Sequence, residues 1–591
     1  MKSRRLLQPT LILVALEGLA CAAWLLSVPS DAAGALALGL SAARLALLAV
    51  ILAGALLAGG LALAARRDEA PIWGLAERWL NSRAAFIATL MVGALSLLLV
   101  LHRHIAPAAY AAEVSRLLPV AVFATLAAGH IILLALLAGD RDWKLRAVLM
   151  ALLPVLLIFY WDAANYFSAL NHDWKNSDQG IFINFAYEVA ASGYTFTGGR
   201  NFMPLYPFLL APLLAASRAF FENFELVKTF NILLSLVLLA GFFWLVKAHL
   251  SRGEALLLTL LAAFSLYIYK APYSQPEVLF YFLFFVAFLL ACRLLLRSHW
   301  ATAALLGLAL AAAHLTKASA LPLAALVLVT LAGLAVVAAI RRGREGTFRF
   351  ASPHSYLLSL ALVALVFVAV LWPYISESKA RYGHYFYNVN TTFYAWYDSW
   401  REATEGTRAH GDGVGWPDLP EDQIPSPSRY LQTHSTAEIG ARLWRGVQNQ
   451  ASNLWNTFSL VSYPVLLAAL VALAAWANRP RARELWRRYW PLIGFVALMW
   501  GGYLLAYAWY GPIADYADQR FTYSLMLPML FAGCVALRHL LDGDEVVELF
   551  GRAVAARVWR SRAFGAVALV LALDMLFWVP VKLAEFGWYG K

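Results

Sequence analysis

Residues 320–339 read ALPLAALVLVTLAGLAVVAA, twenty positions without a single charge. A helix of that length rises about 30 Å, which matches the hydrocarbon core of a bilayer. It has no polar face to turn towards water, so it reads as a membrane span. Fourteen further stretches read in the same way, at about 7–27, 35–65, 85–101, 116–138, 146–161, 226–248, 255–270, 278–296, 301–313, 356–374, 457–477, 491–510, 520–540 and 563–583. The 591 residues are 62% hydrophobic and 14% charged, too little polar surface for a soluble chain of this size. The strand alternation of an outer-membrane barrel is absent. The predicted class is an all-α polytopic membrane protein.

The net charge of +12 is explained by where it sits. Arg66, Arg67, Arg78 and Arg83, then Arg141, Lys144 and Arg146, then Lys247 and Arg252, then Arg297, then Arg341 to Arg349, Arg479 to Arg488 and Arg538 to Arg562 fall in short connections between apolar runs. Threading from a cytoplasmic N-terminus puts all of them on the cytoplasmic side, as the positive-inside rule requires. This distribution speaks against a nucleic-acid partner. The Ala/Arg/Leu-rich style points to a multi-pass protein of a bacterial inner (plasma) membrane. Cys21, Cys292 and Cys534 each lie inside an apolar run and form no zinc or disulfide pattern. The basic Met1 to Arg5 followed by an apolar run reads as an uncleaved first span.

The same threading gathers the polar stretches on the extracytoplasmic face. They are 162–225, Lys270 to Glu277, His314 to Ser319, the long 375–456 segment, and Asp515 to Arg520. The first holds Ser177-Asp178-Gln179-Gly180, Gly193-Tyr194 and Arg200-Asn201-Phe202-Met203-Pro204-Leu205-Tyr206-Pro207. Its apolar part, Pro204 to Ala216, reads as a helix in the interface. Tyr382, Tyr385, Phe386, Tyr387, Phe393, Tyr394, Trp396, Tyr397 and Trp400 make the start of 375–456 strongly aromatic. That run reads either as an interfacial belt followed by a loop or as a lid or acceptor platform.

Six side chains here are able to carry chemistry. Asp178 reads either as part of a helix cap with Ser177 or as a partly desolvated general base for an acceptor hydroxyl. Glu277, after Pro276, reads either as helix-start chemistry or as a second carboxylate for a metal or for orienting substrate. Asp162, beside Trp161 at the expected helix end, is the other candidate for that part. Lys317 lies in a connection too short to be a solvated loop, and a lysine near hydrocarbon calls for an anionic partner such as a phosphate. Arg520 and Arg200 are able to fork two hydrogen bonds to a phosphate, against salt bridging or snorkelling as their plainer roles. No Walker loop, Ser-His-Asp pattern, dinucleotide fingerprint or His-x-Glu metal motif is found.

In their order and sidedness these elements resemble the GT-C glycosyltransferases. Those are the users of polyprenyl-phosphate sugars, among them the protein O-mannosyltransferases and the aminoarabinose transferases of lipid A. The resemblance rests on Asp178 in the first large outer loop, Gly193-Tyr194, Met203-Pro204-Leu205-Tyr206-Pro207, Leu315-Thr316-Lys317-Ala318, and the Arg520 to Pro528 element. It covers about residues 146–583 and departs from the family at Asp178-Gln179, where an Asp-Glu pair is common.

The resemblance implies a GT-C-like bundle of about 11 transmembrane helices preceded by about 4 extra ones, with interfacial helices in the first large outer loop. The chain then divides into an extension at 1–145, a catalytic core at 146–374 with outer loop 162–225, an aromatic-rich extracytoplasmic loop at 375–456, and C-terminal helices at 457–591. The implied reaction moves a sugar from a polyprenyl-phosphate donor in the membrane lipid to a hydroxyl of a glycan, lipid or protein acceptor, with inversion. Asp178 would be the base, while Lys317, Arg520 and Arg200 would take the donor phosphate. Tyr206, Tyr385 and Trp396 would meet sugar or acceptor. Some members of the family bind a divalent cation, for which Glu277 would be a ligand; the sequence leaves the metal open. The competing readings are a glycan ligase or polymerase, a lipid or glycan transporter without bond formation, and a scaffold for a polysaccharide-synthesis complex.

Overall fold

The computed structural model describes residues 2–27, 35–65, 78–79, 82–103, 105, 108–138, 141–175, 177–195, 199, 201–214, 218–341, 348, 351–455, 459–514, 520–549 and 551–585. The chain is 81% helical. Among the described residues twelve helices are long and apolar enough to cross a membrane, and three shorter apolar helices accompany them. Each of the expected spans falls on one of these. The protein is an all-α polytopic membrane protein, and its backbone groups are satisfied within the helices, as a bilayer demands.

The chain folds as two compact units, 1–170 with 573–589, and 171–572. The first contains α1 (Lys2–Ser27), α2 (Ala42–Ala64), α3 (Arg83–His102), α4 (Ala108–Ala138) and α5 (Arg141–Leu170). Gly18 of α1 and Gly54 of α2 let the helices close on Phe123 of α4, whose ring atoms would lie 3.0 Å and 2.8 Å from an added Cβ. Glu17 pairs with His130 at 3.1 Å between α1 and α4. Lys144, buried near the start of α5, donates to the Ala135 carbonyl at 2.7 Å.

Two expectations change here. The span expected at 146–161 is the longer α5, which runs on to Leu170. Asp162 therefore sits inside a helix rather than at its end, and it is held there by His102 of α3, whose Nε2 lies 2.8 Å from Oδ2. A charged group stays within a helix when a neighbouring helix supplies its partner.

The second unit begins with a turn and α6 (Asp178–Ala191), α7 (Leu205–Leu210) and α8 (Phe220–Val246). The apolar stretch expected as one helix over 204–216 is only the six residues of α7 and a single 3-10 turn at Ala211–Leu213. Pro207 and Pro212 inside so short a run leave too few backbone donors for a longer helix. Next come α9 (Arg252–Ala262), continued by a π turn to Lys270, then α10 (Glu277–Leu296), α11 (Trp300–Thr316), α12 (Leu321–Ile340) and α13 (Pro353–Tyr382). Between α11 and α12 the chain has one extended residue, Lys317 (φ −155°, ψ 128°), and a 3-10 turn.

After α13 the chain builds a module with its own core of Tyr382, Tyr387, Val389, Phe393, Tyr394, Ala403 and Ile513. Tyr382 and Tyr387 stack with ring centroids 4.1 Å apart. The module closes with α14 (Pro427–Thr433) and α15 (Thr436–Trp455), which lies on α17 (Arg479–Tyr510) after the short apolar α16 (Tyr463–Ala477). Buried Arg442 of α15 ties it together. Its guanidinium donates to Asp398 at 3.0 Å, to the Ala395 carbonyl at 3.0 Å and to the Trp509 carbonyl at 3.0 Å, and it lies 4.4 Å from the Trp509 ring centroid.

Asp398 also accepts from Tyr430 at 2.7 Å and sits 2.8 Å from His434 Nε2. Burial pushes the Asp398 carboxyl up, but Tyr430, His434 and the Arg442 charge outweigh it and hold it below the ordinary carboxylate range. A lowered native pKa contributes stability that is complete above the unfolded aspartate value, ~4, and is lost as pH falls through the native one. Hydrogen exchange over 395–455 should therefore accelerate on acidification below about pH 4. Asp398→Asn should remove that acid step.

The face of α15 that is buried on α17 is polar: Arg442, Gly446, Gln450 and Asn453. Its exposed face is mixed, with Trp444, Val447 and Trp455 beside Glu438, Arg445 and Gln448. Gly446 sets the spacing, because a Cβ there would stand 2.1 Å from the Ala508 carbonyl oxygen. Gly446→Ala should lower stability by about 1–3 kcal/mol through overpacking, read as a lower melting temperature. Gly440→Ala, on the same helix with nothing within 4 Å, should leave it unchanged or raise it.

The unit ends with a short helix at Arg520–Tyr523, α18 (Met526–Leu540), and α19 (Ala556–Leu573), which runs into the first unit. Between the last two is an antiparallel hairpin of β1 (Val546–Leu549) and β2 (Arg552–Ala555). Its two-residue loop needs positive φ, which Gly551 supplies at +69°. Trp559 of α19 donates to the Val547 carbonyl at 3.1 Å and fixes the hairpin to the helix.

Candidate functional site

Gly180 decides how α6 begins. A Cβ there would lie 2.3 Å from the Trp174 carbonyl oxygen, so only glycine lets the helix start this close to the preceding turn. Ser177 is the N-cap and accepts from the Gln179 amide at 3.4 Å. Asp178 is therefore the first helical residue rather than the cap, half-buried, with its carboxylate at the positive end of the helix.

Gln179, the residue that departs from the family pattern, is buried and staples the site. Its Oε1 accepts from Asn171 at 2.9 Å and from the Ser274 amide at 3.0 Å, and its Nε2 donates to Asn171 Oδ1 at 3.1 Å and the Asp173 carbonyl at 2.9 Å. A glutamate has no donor for those two oxygens. Gln179→Glu should thus destabilise the protein by about 1–3 kcal/mol, measured as a drop in melting temperature.

Through Ser274 this turn reaches the connection between α9 and α10. Asn171 donates to the Pro272 carbonyl at 2.9 Å, and Lys228 of α8, fully buried, donates to the Asn171 carbonyl at 2.8 Å and pairs with Glu225 at 2.7 Å. Asn231, one turn further along α8, donates to the Tyr273 carbonyl and to the Gln275 carbonyl, the latter at 3.2 Å. Four chain segments are thereby clamped by amides and one lysine, and the charge is matched within hydrogen-bond distance.

Glu277 is the first residue of α10 and is almost fully buried; its Oε1 lies 3.1 Å from Lys317 Nζ. Lys317 keeps 23% of its side chain accessible and sits 5.8 Å from the Phe280 ring centroid. Tyr206 is completely buried, with its hydroxyl beside Asn231, Ser274 and the charge of Glu277. Among the described residues it has no well-aligned hydrogen bond. Burial first, and the Glu277 charge in addition, push the Tyr206 phenol up, against smaller opposing effects of Asn231 and Ser274. It stays a protonated donor.

The other expected site residues fall elsewhere. Asp162 is in the first unit with His102. Trp396 packs on Trp509 and Tyr430, 5.6 Å and 6.3 Å away, and so belongs to the Arg442 module. Tyr385 is exposed, 5.6 Å beneath Lys379 Nζ. Arg200 lies outside the described residues, as does the side chain of Arg520, whose backbone opens the short helix before α18. Among the described residues no three His, Cys, Asp or Glu side chains gather where they could hold a metal. Glu277 presents Oε1 to Lys317.

Sequence reasoning missed Asn171, Lys228, Asn231 and Ser274. Lys228 and Asn231 carried a signal, since polar residues one turn apart in an apolar helix demand partners. Searches of protein-family models, of curated proteins and of solved structures find no match to this chain.

Proposed function

We propose that this chain is a membrane glycosyltransferase, moving a sugar from a polyprenyl-phosphate donor to an acceptor hydroxyl at the extracytoplasmic face with inversion. The observation that carries the reading is the partly accessible Lys317, paired with Glu277, whose charge also reaches Tyr206 beside Ser274, a residue that anchors the turn bearing Asp178. A cation and a buried phenol donor suit a phosphate that gains charge. A carboxylate at a helix start suits a hydroxyl that loses a proton.

In the proposed step the acceptor oxygen attacks the anomeric carbon as the bond from that carbon to the phosphate oxygen breaks. Asp178 takes the hydroxyl proton. The bonding pair leaves with the phosphate, whose growing charge is met by Lys317. Glu277 fixes the position of that ammonium, and Tyr206 offers a hydrogen bond. Arg520 and Arg200 remain candidates for the same phosphate, and Tyr385 for the acceptor.

The test uses purified protein in liposomes with radiolabelled polyprenyl-phosphate mannose, glucose or aminoarabinose, and membranes lacking the protein as acceptor pool. The expected result is label in an acid-stable glycoside together with free polyprenyl phosphate. Label that crosses the bilayer with its phosphodiester intact would make the protein a transporter. Transfer of a preformed glycan and not of single sugars would make it a ligase.

A further inference from the structure

We propose that the cleft between the end of α16 and the β1–β2 hairpin binds the headgroup of a zwitterionic phospholipid, a phosphate ester with an ammonium two carbons away. The cleft has a volume of about 470 Å³ and is bordered by Trp476, Arg479, Pro480, Glu548, Leu549 and Gly551. It lies outside the polar cluster described above, and the inference stands apart from the proposed reaction.

Charge distribution carries the assignment. Arg479 and Glu548 are both exposed and both border the cleft. Among the described residues neither forms an ion pair, with the other or with any third group. Three other arginines of these segments are already engaged: Arg481 with Glu484 at 2.7 Å, Arg538 with Glu254 at 2.5 Å, and Arg560 with Asp542 at 2.6 Å. Two opposite charges that share a cleft without touching fit a ligand that carries both signs. The Arg479 fork takes the phosphate, and Glu548 takes the ammonium. A purely anionic headgroup would meet repulsion from Glu548, so the same carboxylate that recruits one lipid class disfavours the other.

Depth and shape agree with a lipid. α16 is an apolar helix that ends at Ala477, and Trp476 at that end is 60% exposed. Aromatic side chains at span ends mark the level of the headgroups, and basic pockets at that level are lipid sites. The Arg479 guanidinium lies 5.8 Å from the Trp476 ring centroid, which orients it along the cleft wall. On the other side the hairpin is held in place by its Leu549–Arg552 register and by Trp559. Glu548 is therefore presented by a fixed strand.

The test is native mass spectrometry of the full-length protein with an equal mixture of phosphatidylethanolamine and phosphatidylglycerol. The protein should retain phosphatidylethanolamine over phosphatidylglycerol by about threefold to fivefold, the range of an exposed ion pair. Glu548→Gln should erase that preference, and Arg479→Gln should weaken retention of both lipids. Both side chains are solvent-facing, so the variants keep the fold, which unchanged melting temperatures will verify. Equal retention by the unaltered protein, or a preference that survives Glu548→Gln, overturns the proposal. Soluble glycerophosphoethanolamine should compete only weakly; tight binding of it without lipid retention would assign the cleft to a soluble phosphoester and overturn the lipid assignment.

Discussion

Asp178→Asn is expected to slow sugar transfer by about 10²- to 10⁴-fold, the usual contribution of a positioned general base, while folded yield and donor binding stay the same. Asparagine keeps the size and the hydrogen-bonding oxygen, so the first turn of α6 survives. The cap is Ser177, which the substitution does not touch. Losing a negative charge at the helix start removes only about 0.3–1 kcal/mol. Rate and stability therefore separate cleanly at this position. Ser177→Ala is the contrasting control: it should cost about 1 kcal/mol of stability with a far smaller loss of rate. If Asp178→Asn lowers the melting temperature as much as Ser177→Ala and leaves transfer intact, Asp178 is helix-start chemistry and the proposed base is wrong.

Lys317→Met is expected to destabilise the protein by about 3–5 kcal/mol, because it leaves the buried Glu277 carboxylate without its lysine. The double variant Lys317→Met with Glu277→Gln should recover most of that loss, since a neutral pair in the same space is often as stable as the ionic one. Transfer should not recover with it. Removing a group that meets developing charge costs about 10²–10³ in rate, and neither methionine nor glutamine supplies a cation. A double variant that restores both stability and transfer would reduce Lys317 to the partner of Glu277. The Glu277→Gln single variant completes the cycle, retaining the cation but losing the group that fixes it.

The spans were legible because bilayer thickness sets a length that sequence either meets or fails. The Glu277–Lys317 contact was legible only in halves. Each residue was conspicuous in its apolar setting, but the pairing depends on α10 and α11 forming an antiparallel hairpin whose open ends bring residues 40 positions apart to 3.1 Å. The expected helix end at Asp162 was misplaced because a polar residue was taken to end a helix. Helix α5 continues past it since His102 supplies its partner. Trp396 was read with its aromatic neighbours as a possible sugar platform. Its place is decided instead by Arg442, buried 46 positions later in sequence and locked to Asp398 and Trp509. Lys228 and Asn231 escaped notice because α8 was read for its length and not for what interrupts it.

The buried polar face of α15 limits how the protein can be divided. A fragment trimmed to residues 375–456 would look like a water-soluble domain by its charge content, yet it would carry Trp444, Val447 and Trp455 on its surface. It would also lose α17, which packs on Gly446 and supplies the Trp509 carbonyl and ring to Arg442. Such a fragment should aggregate, and antigens, crystallisation targets or binding reagents made from it would display a surface the intact chain does not have. The module is a part of the membrane bundle and has to be produced with it.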